Sequence, residues 1–385
     1  MAPTELRCDV AVVGAGPAGA SVALRLARRG ADVILMERSR MPRTKVCGEY
    51  LSPATLASLA TLGLLECVRA RAHALASLRI SGFGIAPVLM RLPGQGGLAI
   101  ARSDLDTLVA DEASKAGARV VLGTYVTAIE NDDGIIASYR DGAGEMHHIA
   151  ARALVGADGA WSAVAQRTRM AGRQRRGGRW AVGGHLETPS ESDEVEMFVG
   201  QDGYYARNPL GGGLTNVMLV LPEPLGDDQA DAAARRLSDG RCGLRLDALQ
   251  RRVAVGPLAY RASTQIARRI VLAGDAAELF DPFLGQGIAL ALELSEASAD
   301  AATALAMGGD WRVTAQRYVS VRAAAVRRTR IIARAVDSLL RVRWLRGRAA
   351  RKLARRPELA DQLLEVVAGS VPDSRRLALV WDLIA

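Results

Sequence analysis

The chain has 385 residues, 49% of them hydrophobic, and a formal net charge of +9 at pH 7. That length and composition describe a globular protein of two intergrown domains with a sizeable core. No apolar run is long enough to span a bilayer, and glycine interrupts the first apolar stretch where a secretory leader would be continuous. Cys8, Cys47, Cys67 and Cys242 form no C-x-x-C pair, which excludes a disulfide framework or a zinc site and points to a reducing, cytoplasmic setting.

Residues 8–13 read as a short buried strand, Pro17–Arg29 as a helix ending at Gly30, and Val33–Met36 as the next strand. This β-α-β unit gives meaning to Gly14, Gly16 and Gly19 in the turn. Gly14 permits a tight turn, Gly16 lets backbone approach a pyrophosphate, and Gly19 lets the helix pack closely on the strand. Pro17 and Ala18 open that helix, whose N-terminus presents free N–H groups to an anion. Glu37, at the end of the second strand, is placed to accept from ribose hydroxyls, and Arg38 follows it. The fingerprint indicates a dinucleotide without separating NAD from FAD.

A loop follows over Arg40–Pro53, then an alanine- and leucine-rich helix stopping near Gly63 and another helix over 104–116. Val120–Ile129 and Ile135–Tyr139 read as strands around an Asn-Asp-Asp-Gly turn, and Ala153–Val155 as a buried strand before Gly156-Ala157-Asp158-Gly159. From Trp180 to Val255 the segments alternate like the strands of an antiparallel sheet, including Val195–Val199, Tyr204–Ala206 and Thr215–Leu221. Residues 269–273 return to the first sheet, a long helix starts near Gly287, and the remainder is mostly helical. His73, His147, His148 and His185 are not arranged with acids or cysteines at ligand spacing, so no metal is expected, and His147-His148 read as a solvated turn or edge.

The downstream run RIVLAGDAAELFDPFLGQGI decides the cofactor. Asp275, after Gly274 at a strand end, suits a ribityl hydroxyl. Pro282 leads to Gly285, Gln286, Gly287 and Ile288, where a helix start would lie against the flavin N1/O2 edge and stabilise reduced-flavin charge. Together the two motifs indicate FAD. No second glycine fingerprint in a β-α-β context provides an NAD(P)H domain, so NAD(P)H binds transiently or an external reductase supplies electrons.

GAGPAG with Glu37, the stretch Ala101–Asp106, Ala157-Asp158-Gly159 and GDAAELFDPFLGQGI together resemble the para-hydroxybenzoate-hydroxylase-fold flavoproteins over about residues 6 to 300. Within that superfamily KVCGEYLSP resembles the loop of the geranylgeranyl-reductase family and its monooxygenase (group A) and halogenase relatives. The resemblance implies an α/β fold: a Rossmann-like FAD-binding domain of glutathione-reductase type, an inserted antiparallel-sheet substrate domain and a helical C-terminal segment. The corresponding division is 1–80, 101–175 and 261–305 for the FAD-binding domain, 81–100 and 176–260 for the substrate domain, and 306–385 for a basic helical segment.

It further implies that Arg102 and the carbonyl or amide of Val126 serve the pyrophosphate and adenine ends, with Asp158 and Gly159 near the pyrophosphate and the nicotinamide approach. Lys45, Cys47, Gly48 and Glu49 would lie over the isoalloxazine, with Lys45 lowering the pKa of a catalytic Cys47. The reductases' aromatic-x-Trp-x-Phe-Pro stretch is here Tyr204–Pro209, lacking the Trp and Phe, with Asn216-Val217 retained; the halogenase tryptophan motif is absent. Tyr204, Tyr205 and Arg207 are candidate substrate residues, although alternate strand residues point to opposite faces.

The leading expectation is an FAD-dependent monooxygenase, using NAD(P)H and O₂ through a flavin C4a-hydroperoxide to hydroxylate or epoxidise an aromatic, polyketide-like or terpenoid metabolite. The alternatives are a geranylgeranyl-reductase-like ene-reductase acting on isoprenoid double bonds and, in another class, a flavin-bound accessory protein without turnover. Between Arg312 and Arg356 fifteen Lys or Arg face one acid, Asp337, so this segment alone makes the chain basic. With Leu339, Leu340, Val342, Trp344 and Leu345 it reads as a peripheral contact with an anionic membrane or as solvated helix capping the substrate cavity. No nucleic-acid fold accompanies it.

Overall fold

The computed structural model describes residues 5–368 apart from 83–84, 173–177, 189–190, 201–202, 225, 243 and 245; side chains 5, 85, 328, 335–341, 343–346, 350, 354 and 367–368 are also outside the description. The chain opens with β1 (Glu5–Val13), α1 (Pro17–Arg28) and β2 (Val33–Glu37), the expected β-α-β unit. Alanine and glycine along α1 let neighbouring helices approach closely, so ten of its twelve residues are buried.

There follow β3 (Tyr50–Leu51), α2 (Pro53–Thr61), α3 (Leu65–Arg69), β4 (His73–Leu75), β5 (Ser77–Gly82), β6 (Ile85–Arg91), β7 (Gly97–Ala99) and α4 (Arg102–Lys115). Next come β8 (Arg119–Leu122), β9 (Tyr125–Asn131), β10 (Ile135–Arg140), β11 (Met146–Gly156) and the short α5 (Ala163–Arg167). The single strand expected over Val120–Ile129 is thus two, broken at Gly123, whose φ of +73° turns the chain. β8 joins β2 in the parallel sheet, whereas β9 pairs with β10.

The middle of the chain holds β12 (Trp180–Glu187), β13 (Glu194–Val199), β14 (Tyr204–Gly211), β15 (Leu214–Leu221), α6 (Asp227–Leu237) and β16 (Gln250–Val255). It returns through β17 (Tyr260–Arg261), β18 (Ile266–Ala267), β19 (Ile270–Leu272) and β20 (Glu278–Leu279) to α7 (Gly287–Glu293), α8 (Ser295–Ala306), α9 (Trp311–Arg341), α10 (Arg343–Arg355) and α11 (Pro357–Ala368). The long helix expected from Gly287 is therefore two, α7 and α8, meeting at Leu294.

Two large sheets organise these elements. In one, β19, β11, β1, β2 and β8 run parallel, with β9, β10 and β18 added antiparallel. In the other the order is β16-β12-β15-β14-β13-β5-β6, antiparallel except where β5 meets β13. A division after residue 80 would cut through β5, and β7 pairs with β3 and β4 in a separate three-stranded sheet. The basic segment is integrated as well: α10 and α11 pack on β6, and Asp361 Oδ1 accepts from Arg91 N at 2.7 Å, occupying an edge amide. His147 and His148 lie within β11, on Asp141 and Ser138, rather than in a turn.

Candidate active site

The turn between β1 and α1 is tightly determined. Gly14 has φ +103°, and a Cβ on it would stand 2.4 Å from the Ala157 carbonyl oxygen; one on Gly19 would stand 1.9 Å from the Gly14 oxygen. Gly16 differs, since a Cβ there would meet only the guanidinium tips of Arg43 at 3.4 Å and Arg102 at 3.8 Å. The α1 N-terminus therefore opens onto space bordered by two cations.

Buried Glu37 closes the far side. Its Oε2 accepts from Ala15 N and its Oε1 from Ser39 N, both at 3.0 Å, while its carbonyl accepts from Thr124 N at 2.9 Å. Val126 and Arg38 line this end of the cavity. Asp106, fully buried, accepts from Arg102 Nε and Nη2 at 2.9 Å and pairs with Arg43 Nη2 at 3.0 Å. Arg43 Nε is buried without a hydrogen-bond acceptor. Two guanidiniums gathered on Asp106, with Arg43 Nε also 3.6 Å from Glu37 Oε2, beside a helix N-terminus with no Cβ in the way fit a diphosphate.

At the other end Gly274, Asp275, Pro282, Gly285, Gln286, Gly287 and Ile288 all line the same cavity. Gly285 has φ +64° and sits against Tyr50. Burial pushes the Asp275 carboxyl up, opposed by Lys45; burial pushes Lys45 down, aided by the charges of Arg102 and Arg43 and opposed by Asp275. Lys45 Nζ lies over Gly159, 3.2 Å from where a Cβ would be. Asp158 lines the cavity beside Gly159, and its carboxylate also caps α5, accepting from Ser162 Oγ at 2.5 Å and Val164 N at 3.2 Å.

Arg102 opens α4 yet is buried, and its guanidinium lies near the Cys47 thiol. The expected lowering of the Cys47 pKa by Lys45 is overturned. Burial pushes this thiol up, Arg102 rather than Lys45 opposes it, and the Glu49 charge adds to the rise. Glu49 N donates to Cys47 Sγ at 3.3 Å. The fold also gives His185 a distant partner: its Nε2 donates to Glu49 Oε2 at 2.7 Å with both side chains buried. They are 136 positions apart, so no local spacing announces the pair.

The cofactor-facing space continues into an apolar hollow, the whole cavity measuring about 1000 Å³. Leu78, Ile80, Met197, Met218, Val220 and Leu258 form much of the hollow's wall. Tyr204 lines it, with Phe283 edge-on at 5.1 Å, its hydroxyl donating to Asp281 Oδ1 at 3.5 Å; burial pushes this phenol well above 10, and the Asp281 charge adds to it. Tyr205 and Arg207 do not line it, because strand alternation sends them to the opposite face. Tyr205 packs there against Phe198, and Arg207 pairs with Glu196 at 2.9 Å. Ala206 and Asn208, on the Tyr204 face, line it instead. Ala349, Leu353, Leu363 and Leu364 of α10 and α11 complete one wall. The side chains of Leu339, Leu340, Trp344 and Leu345 lie outside the described residues.

This cradle and its adjoining hollow are those of an FAD-binding oxidoreductase. The chain belongs to the FAD-binding-domain family, whose model matches residues 7–224. It is 31% identical over 336 residues to a menaquinone reductase of Mycolicibacterium smegmatis, covering 77% of this chain and 76% of that protein. It is 28% identical over 327 residues to digeranylgeranylglycerophospholipid reductase 1 of Methanothermobacter thermautotrophicus, covering 80% of each. A rifampicin monooxygenase of Streptomyces venezuelae is 27% identical over 306 residues, 74% of this chain and 62% of that protein. Among solved structures, a flavoprotein/dehydrogenase from Cytophaga hutchinsonii superposes with a TM-score of 0.81 at 20% identity, covering 98% of each chain.

Proposed function

We propose that this FAD-dependent oxidoreductase reduces a carbon–carbon double bond in the isoprenoid chain of a lipophilic metabolite. The observation that carries the reading is the aliphatic hollow running from the Cys47 loop to α10 and α11, which suits a hydrocarbon chain. The two reductase relatives support it. In this reading Gly14, Gly16, Pro17, Ala18, Gly19, Glu37, Arg38, Arg43, Arg102 and Val126 hold the adenosine and diphosphate. Lys45, Gly48, Gly159, Gly274, Asp275, Pro282 and Gly285–Ile288 hold the ring end.

FAD, when bound and reduced by NAD(P)H or an external reductase, supplies the hydride. The chain must supply a proton to the other carbon of the double bond. Cys47 is suited to this because burial keeps it a neutral thiol. As the proton leaves Sγ, the contacting Arg102 guanidinium, held charged by Asp106, and the Glu49 N–H stabilise the thiolate. The apolar walls exclude water from the bond being reduced.

The test is anaerobic: reduced protein is mixed with menaquinone or a geranylgeranyl lipid. Flavin reoxidation is expected, with one hydride and one proton added across a double bond of the isoprenoid chain, a two-hydrogen mass gain that persists after any quinol formed is reoxidised to the quinone. Product that forms only with O₂ and carries an added oxygen overturns the reading in favour of a monooxygenase, the reaction suggested by the rifampicin monooxygenase relative. The basic segment would set the cavity against an anionic membrane surface, from which such a substrate is drawn.

A further inference from the structure

His185, Asn216 and Asn208 form one row across three adjacent strands. His185 pairs with Asn216 between β12 and β15, and Asn216 with Asn208 between β15 and β14. All three are buried, at 5%, 3% and 3% exposure. A polar row on a buried sheet face is costly unless each member is hydrogen-bonded. Here the three partners are consecutive: Asn216 Nδ2 donates to Cys47 O at 2.9 Å, Asn208 Nδ2 to Gly48 O at 2.9 Å, and His185 Nε2 to Glu49 Oε2 at 2.7 Å.

Glu49 needs such holding. It has φ +55°, a left-handed conformation uncommon for a residue with a Cβ. Its carboxylate is shared, Oε1 accepting from Arg102 N at 2.7 Å while Oε2 takes the imidazole. One side chain thus ties the start of α4, where the Arg102 guanidinium faces Gly16 and Cys47, to β12, an interior strand of the second sheet.

We propose that His185 is a positioning residue for the cofactor: through Glu49 it holds the Cys47–Glu49 loop and Arg102 in the shape that binds FAD. Asn208 and Asn216 hold the loop's carbonyls but cannot set the Glu49 side chain, so the imidazole is the member whose loss frees it. This depends on FAD binding and not on the choice between reduction and oxygenation.

The test compares the full-length protein with His185→Phe, which keeps the ring volume without a donor, and His185→Gln, which keeps a donor. FAD dissociation constants come from titrating deflavinated protein, flavin band positions from visible spectra, and Cys47 accessibility from iodoacetamide trapping in the holoprotein. His185→Phe should weaken FAD on the order of tenfold, shift the flavin bands and speed Cys47 labelling, with His185→Gln largely restoring all three. Lower thermal stability with unchanged FAD affinity, spectrum and labelling overturns the proposal, as does an equal loss in His185→Gln. If His185→Phe does not fold, Glu49→Gln, which keeps the size and one acceptor, must show the same shifts for the proposal to stand.

Discussion

At Cys47 opposing influences meet on one atom: burial and the Glu49 charge raise the thiol pKa, and Arg102 lowers it. The net direction is upward, so at neutral pH the group is a thiol, and the thiolate appears only above the usual thiol range. In flavin-free protein, iodoacetamide trapping of Cys47 should therefore rise with pH along a curve displaced to higher pH than that of free cysteine. A curve displaced to lower pH would contradict this and fit an activated nucleophile instead. Cys47→Ala should keep FAD and lose double-bond reduction by about a hundredfold or more, the scale of a lost proton-transfer partner. Gly19 is a structural counterpart. An alanine Cβ would press on the Gly14 carbonyl, so Gly19→Ala should cost about 1–3 kcal/mol in urea unfolding of the apoprotein. Both positions are legible in the sequence, but the sign of the Cys47 shift is not, since it depends on which charges the fold brings near.

β14 shows what an element adds to its residues. Period-two alternation was enough to say that Tyr204, Tyr205 and Arg207 share no single face, and register then assigned Tyr204, Ala206 and Asn208 to the cavity. Ala206→Trp should fill the hollow, lowering substrate-dependent reoxidation of reduced flavin at least tenfold while FAD affinity holds, whereas Arg207→Ala should leave both unchanged. Equal effects of the two variants would mean that the face assignment is wrong. Asn216 stood in the sequence beside Val217 with no role; only pairing with His185 and Asn208 makes it part of a row aimed at the cofactor loop. Helix lengths were similarly underdetermined, because no glycine or proline between Ile288 and Ala306 marks the break at Leu294.

Over the whole molecule, charge and cavity meet in the C-terminal helices. α9 and α10 carry nearly all of the fifteen basic residues between Arg312 and Arg356, exposed Val319, Val321 and Ile331 lie among them, and α10 and α11 close the apolar hollow. None of the described helices is long and apolar enough to cross a membrane. The protein should co-sediment with phosphatidylglycerol vesicles at low salt, be released as salt rises, and ignore phosphatidylcholine vesicles; equal binding to both lipids would remove the electrostatic account. What the sequence determined by itself is local: a glycine turn bounded by strand and helix, an acid at the next strand end and a Gly-Asp to Gly-Gln-Gly run, each needing only nearby backbone geometry to mean FAD. The remaining features are non-local. The Glu49–His185 pair, the reach of Arg43 to Asp106 and the cavity wall from α10 and α11 join residues far apart in the chain, because strand register and helix packing, not spacing, bring them together.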